Sequence, residues 1–278
     1  MNIGIMQGRL TPSKGRGIQF FPFEEWEQEF HAGQKLGLQE IEWIFDYERY
    51  EENPLWTEEG CRRIREAMGV SGVAVRSVCF DYFMRRPFYK GKGERGENLT
   101  VFTQVIQGMT HLRARLIEIP MVDDSSIQNE EERAEAIGFA RDMADLAAKS
   151  SIVVGFETDM PPGVFGDFLW EIGRENVAAN YDSGNSSGLG YEPAEEIVSL
   201  GERIANVHIK DRVLGNGTVP LGTGSANFHE VFDSLKKIGY HGSFILQAAR
   251  GEDGSEPETI RKQMNFLEKC IATWEFNA

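Results

Sequence analysis

Short apolar segments rich in β-branched residues alternate along the chain with longer segments of helical period. A strand buried on both faces is a short apolar run, whereas a helix that covers it has apolar positions every three to four residues. Eight such units follow one another, which is typical of parallel βαβ connections. The predicted strands lie at residues 2–6, 38–44, 73–79, 115–119, 152–158, 177–182, 204–209 and 243–247.

Helices are predicted between the strands, and the pattern is clearest from Glu130 to Lys149. There, small apolar residues such as Ala140 and Ala144 recur on one face, while acids and arginines occupy the other. Further helices are predicted at residues 23–36, 58–68 and 258–271. The longest irregular stretches follow the third and seventh strands, where barrels place their functional loops.

The number of units favours a closed (β/α)8 TIM barrel over an open doubly wound sheet. An open dinucleotide-binding sheet would show a GxGxxG turn after its first strand, but Gln7-Gly8-Arg9-Leu10 stands there. A barrel of about 250 residues commonly forms one domain. The 278-residue chain contains no linker or low-complexity tract, so we predict a single α/β barrel domain over residues 1–278.

The charge and composition of the chain disfavour nucleic acids and membranes as partners, so we expect a small-molecule ligand. The formal charge of −15 disfavours nucleic acid and anionic membrane surfaces. The beginning of the chain does not resemble a secretory signal, and no segment approaches the roughly 18 apolar residues that a membrane span needs. Three separated cysteines suit reduced thiols, so we expect a cytoplasmic protein. The oligomeric state, including a homo-oligomer, stays open.

Four consecutive strands end in residues able to bind a metal or transfer protons: Glu157, Asp182, His208 and Gln247. Each alone also fits a structural role, such as a turn cap for Asp182 or a core histidine for His208. Because parallel strand ends meet at one rim, their joint occurrence favours a site. Oxygen ligands with one imidazole suit one divalent ion, Mn2+, Co2+ or Zn2+. Such an ion could stabilise the enediolate formed when a carboxylate removes a carbon-bound proton from a sugar.

The motifs around these residues resemble a known family. They are Gly-Phe-Glu157-Thr, Asp-Ser-Gly-Asn at 182–185, His-Ile-Lys-Asp at 208–211, and Pro-Leu-Gly-Thr-Gly at 220–224 followed by Phe228. Over essentially the whole chain, the sequence resembles the xylose isomerase-like TIM barrel superfamily of sugar isomerases and epimerases. The motifs are most similar to its L-ribulose-5-phosphate 3-epimerase and hexulose-phosphate isomerase branch.

The resemblance implies a metal held by residues after strands five to eight, with two glutamates as acid and base. Three positions fall on Glu157, Asp182 and His208, but the fourth is Gln247. An amide can offer a carbonyl oxygen to a metal but cannot exchange a proton at neutral pH. Gln247 therefore disfavours two-base epimerisation and leaves Glu157 as the catalytic base of a single-face isomerisation. Glu118 and Glu42 are either replacement acids or ordinary strand charges.

Polar residues near the strand ends are candidates for binding an anionic or hydroxylated substrate, since barrels commonly bind phosphate after strands seven and eight. These candidates are Arg9, Glu118, Asn185, Lys210, Arg212 and Arg250. We predict a metal-dependent isomerase or epimerase of a sugar or sugar phosphate. The alternatives are an inosose-type dehydratase and a non-catalytic sugar-binding barrel. A multi-zinc nuclease is disfavoured because, of five histidines, only His208 stands at a strand end.

Overall fold

The computed structural model describes residues 2–276, with side chains as far as residue 273. Eight parallel strands pair in the order of the sequence, and the first pairs with the last, which closes the barrel. The predicted fold class is therefore confirmed. The strands are β1 (Asn2–Met6), β2 (Glu40–Ile44), β3 (Ser77–Cys79), β4 (Leu116–Met121), β5 (Val153–Thr158), β6 (Val177–Asp182), β7 (Ile204–Ile209) and β8 (Ser243–Leu246).

Helices cover the outside of the barrel. Helix α5 begins after Asn129, whose side chain accepts a hydrogen bond from the Glu132 amide, and it buries the predicted alanine face. Within the described residues, no helix is both long and apolar enough to cross a bilayer. The helices are α1 (Trp26–Leu36), α2 (Glu58–Ser71), α3 (Tyr82–Arg85), α4 (Arg95–Leu112), α5 (Glu130–Ala148), α6 (Pro162–Ile172), α7 (Ser183–Leu189), α8 (Pro193–Leu200), α9 (Phe228–Lys237) and α10 (Glu256–Phe276).

The interior of the barrel is polar near the carboxyl ends of the strands, whereas the core between the strands and the helices is apolar. Strand β2 shows the alternation, because Ile41 and Trp43 belong to the apolar core while Glu40 and Glu42 are buried acids. Buried polar groups are costly unless they bond to one another. The strands and the residue that follows β8 thus carry a set of buried polar side chains that need hydrogen-bond partners within the barrel: Glu42, Glu118, Glu157, Asn180, Asp182, Asn206, His208 and Gln247.

Closure of the barrel leaves no room for a side chain at Gly4. A Cβ there would lie 2.5 Å from Glu40 Cγ and 2.6 Å from Ile245 Cδ1. We expect Gly4→Ala to lower the free energy of unfolding by about 1–3 kcal/mol, the usual cost of overpacking. Gly163→Ala in α6 is the control, because its added methyl has no neighbour within 4 Å and should change stability by less than about 1 kcal/mol. Equal urea midpoints for the two variants would contradict this packing.

Candidate active site

Glu157, Asp182 and His208 come together where β5, β6 and β7 end. Each offers one ligand atom, and the three atoms lie within 4.8 Å of one another. His208 Nδ1 is 3.2 Å from Glu157 Oε2 and 4.0 Å from Asp182 Oδ2. Asp182 and His208 are direct partners in the register of β6 and β7, so the strand pairing itself sets this approach.

The Asp182 carboxylate has two separate roles. Its Oδ1 caps α7 by accepting hydrogen bonds from the amides of Gly184 and Asn185, both at 2.8 Å. Its Oδ2 is buried and accepts no hydrogen bond, and Lys210 Nζ lies 3.5 Å from it. Asp182 therefore does act as a cap, the structural role that its sequence position also fitted. The same contacts orient its free oxygen toward Glu157 and His208.

His208 is oriented from the opposite side by Glu42. Its Nε2 lies 2.7 Å from Glu42 Oε1, and the second Glu42 oxygen accepts a bond from Asn206 Nδ2 at 2.8 Å. A carboxylate partner assigns the proton to Nε2 and leaves Nδ1 facing Glu157 and Asp182. Carboxylate–histidine pairs of this kind orient metal-binding imidazoles.

The carboxylates of this cluster favour a positive charge between them. Burial lowers the pKa of His208, but the charges of Glu42 and Glu157 outweigh it and raise that pKa well above its usual value. Burial raises the pKa of Glu157, but the hydrogen bond and charge of His208 bring it below its usual value. A proton on Nδ1 or a divalent ion would meet this demand. Two carboxylate oxygens and one imidazole nitrogen fit such an ion, as does the unpartnered Asp182 Oδ2.

Two amides hold the Glu157 carboxylate. Asn180 Nδ2 donates to Oε2 at 2.6 Å and Asn185 Nδ2 donates to Oε1 at 2.5 Å. Arg212 Nη1 in turn donates to Asn185 Oδ1 at 3.1 Å, so Arg212 acts on Glu157 through Asn185. The prediction did not include Asn180, although its spacing two residues before Asp182 on β6 places both side chains on the inner face.

Gln247 belongs to a hydrogen-bond chain across the rim. Its Oε1 accepts a bond from Lys210 Nζ at 3.4 Å, and its Nε2 donates to Gln19 Oε1 at 3.0 Å. Gln19 Nε2 then donates to Asp81 Oδ2 at 2.7 Å. A carboxylate at position 247 could not donate to Gln19, so this hydrogen bond depends on the amide of Gln247. Gln19 lies in the long loop between β1 and α1, which has no periodicity that could have predicted it.

A cavity of about 340 Å³ opens above the cluster. This volume lies within the range of small-molecule sites. Five of the predicted substrate-binding and metal residues line it: Glu118, Glu157, Asn185, Lys210 and Gln247. The Glu118 carboxyl is fully buried without a hydrogen-bond partner, and burial together with the charge of Glu157 raises its pKa well above the usual value. Glu118 also forms a second close group with Glu42 and His208.

Arg9 and Arg250 lie beside this cavity rather than in its lining. They line a separate space of about 10 Å³, roughly the room that one water needs. The Arg250 guanidinium donates to the carbonyls of Gly8, Thr11 and Ile18, and Arg9 Nη1 also donates to Ile18. Both arginines therefore brace the loop between β1 and α1.

Asp211, the last residue of the His-Ile-Lys-Asp motif, organises the loop after β7. Its Oδ2 accepts bonds from the amides of Gly222 and Gly224, both at 2.9 Å, and its Oδ1 accepts one from Ala226 at 3.1 Å. A Cβ on Gly224 would lie 2.2 Å from Asp211 Oδ1, so a glycine is required there. Two of the sequence motifs are thus joined by one carboxylate.

Comparison with known proteins agrees with the barrel fold. The sequence pattern of the xylose isomerase-like TIM barrel family matches residues 30–270. The chain belongs to this family. The superfamily resemblance predicted from the four motifs is confirmed. So is the branch, because L-ribulose-5-phosphate 3-epimerase of Salmonella paratyphi A is 24% identical over 235 residues, covering 81% of this chain and 82% of that protein.

Solved structures share the fold. D-allulose 3-epimerase from Methylomonas sp., solved in complex with D-allulose, superposes with a TM-score of 0.72 at 14% identity, covering 97% of this chain and 96% of that chain. The IOLI protein, solved with a zinc atom, superposes with a TM-score of 0.76 at 16% identity, covering 99% of each chain. At these identities the likeness establishes the barrel.

Proposed function

We propose that this chain is a metal-dependent enzyme that isomerises or epimerises a sugar, with Glu157 as its proton-transfer base. The observation that carries the proposal is the approach of Glu157, Asp182 and His208 within 4.8 Å, next to a cavity of sugar size. Relatives that are sugar epimerases support it and give no support to a dehydratase or a non-catalytic binding protein. Free cysteines at 61, 79 and 270 fit a cytoplasmic location.

Glu157, Asp182 and His208 would hold the divalent ion, and Gln247, which lines the same cavity, would contribute its amide oxygen. Mn2+, Co2+ and Zn2+ all accept this donor set. A cation held there supplies Lewis-acid polarisation of the carbonyl of an open-chain sugar. Glu42 fixes the ring of His208, and the α7 amides fix Asp182, so both side chains are held in these orientations.

The proton step belongs to Glu157. Its carboxylate takes the proton from the carbon beside the sugar carbonyl, and the electron pair of the broken C–H bond forms the double bond of an enediolate. The proton held by Glu157 exchanges with solvent, and Glu157 returns a proton on the same face to the carbon that carried the carbonyl. Transfer of the hydroxyl proton from O1 to O2 then completes an aldose–ketose isomerisation. The amides of Asn180 and Asn185 hold the carboxylate in place for both transfers.

Epimerisation requires a second group on the opposite face of the sugar, and Gln247 cannot titrate. Glu118 is the carboxyl group that could serve instead, because it lines the same cavity and its raised pKa favours the protonated form. Product analysis separates the two reactions. We expect metal-loaded protein incubated with a panel of ketoses to yield the matching aldoses. Epimeric ketoses would require a second proton-transfer group on the opposite face, for which Glu118 is the candidate, and no product from any sugar would refute the proposal.

Gln247→Glu restores the acid of the family pattern. We expect it to tighten binding of the divalent ion by at least about tenfold, since a carboxylate adds charge to the ligand set. It should also introduce an epimeric ketose among the products. Gln247→Ala is the control, because it too removes the bond to Gln19 but adds no carboxylate. Calorimetric titration with Mn2+ measures the first effect, and equal affinities in all three proteins would contradict it.

A further inference from the structure

The charges that surround the cavity identify the class of sugar that the proposed enzyme accepts. Six carboxyl groups line the cavity, at Asp46, Asp81, Glu118, Asp123, Asp124 and Glu157. Its cationic lining residues are Arg85 and Lys210. Lys210 already lies 3.5 Å from Asp182 Oδ2, and Arg85 is exposed at the rim. Even without Glu118, the other five carboxylates outnumber the two cations, so they repel a phosphate dianion and offer acceptors for hydroxyl groups.

The backbone that could bind a phosphate after β7 is already bonded. TIM barrels commonly bind phosphate through the loops after strands seven and eight and a nearby helix N-terminus. Here the amides of Gly222, Gly224 and Ala226 all donate to the Asp211 carboxylate. Asp211 is completely buried, so a phosphate could take these donors only by displacing a buried carboxylate.

The corresponding position after β8 is filled in the same way. The Gly254 amide, just before α10, donates to both oxygens of Glu256, at 2.9 and 3.1 Å. Asp253 accepts bonds from the amides of Ser13 and Lys14, at 2.7 and 2.9 Å. Arg250 lines a space of about 10 Å³ with Arg9 and another of about 360 Å³ with Lys262. Neither space shares a lining residue with the cavity above Glu157, so a phosphate held in either would lie outside that cavity.

We infer that the substrate is an unphosphorylated sugar, bound through its hydroxyl groups by the carboxylates of the cavity. This inference rests on the proposed function and narrows its substrate class. Asp81 exemplifies the recognition, since its carboxylate is buried at the rim and its Oδ2 accepts a bond from Gln19. A sugar hydroxyl can donate to such a carboxylate, whereas a phosphate dianion at neutral pH offers it no proton.

The test compares free ketoses with their phosphates on metal-loaded protein at pH 8. D-Allulose, D-tagatose and L-ribulose are paired with D-allulose 6-phosphate, D-tagatose 6-phosphate and L-ribulose 5-phosphate. We expect kcat/KM for at least one free sugar to exceed that of its phosphate by at least about tenfold, because like charges in a cleft raise the barrier to binding. A higher kcat/KM for the phosphate in every pair would overturn the inference and leave the proposed enzyme in place.

Calorimetry separates the two ways of failing. If no sugar is converted, the proposed function is refuted, and binding then decides the substrate class. Binding of a free ketose in preference to its phosphate would still support the inference. Tighter binding of the phosphate, or binding of neither ligand, would overturn it.

Neutral variants test whether the cavity carboxylates cause the selectivity. Asp123→Asn with Asp124→Asn removes two charges at the rim, and asparagine tolerates the positive φ of 51° at position 123. We expect the preference for the free sugar to fall about threefold or more at low salt and less at high salt. Asp167→Asn with Glu175→Gln removes two exposed charges outside the cavity lining and should leave the preference unchanged. Equal preferences in both double variants would contradict the assignment.

Discussion

Glu157→Gln should reduce turnover of the sugar by at least about 10² to 10⁴-fold, the usual cost of removing a general base. The amide keeps an oxygen for the metal but cannot take a proton from carbon. Asn180 and Asn185 both donate to the carboxylate, so the NH2 group of a glutamine at this position would face a donor instead of offering it an acceptor. The measurement is the rate of product formation from the accepted ketose, with circular dichroism to show that the barrel is folded.

Glu195→Gln on α8 is the control, since it makes the same change at an exposed position. It should retain full activity. Metal content is measured in parallel, because Glu157 is proposed both as base and as ligand. A folded, metal-loaded Glu157→Gln protein with more than about a tenth of the wild-type rate would assign the proton transfer to another group.

Loss of the divalent ion is the second large effect. Asp182→Asn combined with His208→Gln should weaken metal affinity by more than about 100-fold, because it removes two of the three proposed ligands. These substitutions protect the fold, since asparagine still caps α7 and a glutamine amide can donate to the buried Glu42. Equilibrium dialysis followed by elemental analysis gives the number of ions per chain.

His229 and Asp233 provide the matched control. They form a similar histidine–carboxylate pair at 3.3 Å, but on the exposed face of α9. His229→Gln with Asp233→Asn should keep about one ion per chain. Full occupancy in the Asp182 and His208 double variant would place the metal elsewhere.

The strands were predictable because parallel barrel strands are buried on both sides and appear as apolar runs between helices. Strands β1, β6 and β7 begin and end at the predicted residues. Strand β3 is shorter than predicted, at Ser77–Cys79, because the apolar residues from Val73 make only an isolated bridge, between Ala74 and Glu40. The convergence of strands five to seven followed from the strand ends alone, since parallel strands end at one rim.

The surroundings of the site were not predictable to the same degree. Gln19 reaches Gln247 from 228 residues away in sequence, through a loop without periodicity. Arg9 and Arg250 lie near strand ends, where a cation favours a prediction of substrate binding. In the structure, their N–H groups donate hydrogen bonds to carbonyl groups of the loop between β1 and α1. Side-chain direction on a loop depends on tertiary contacts, which a local sequence pattern does not encode.

Deuterium exchange tests the central claim most directly. Metal-loaded protein is incubated in D2O with the ketose that it converts. Proton NMR follows the loss of the 1H signal from the carbon beside the carbonyl. We expect deuterium at a single carbon, loss of exchange after chelation of the metal, and loss of exchange in Glu157→Gln. Exchange that continues unchanged after chelation and in Glu157→Gln, or no exchange with any ketose of the panel, would contradict proton transfer by Glu157 at a metal site.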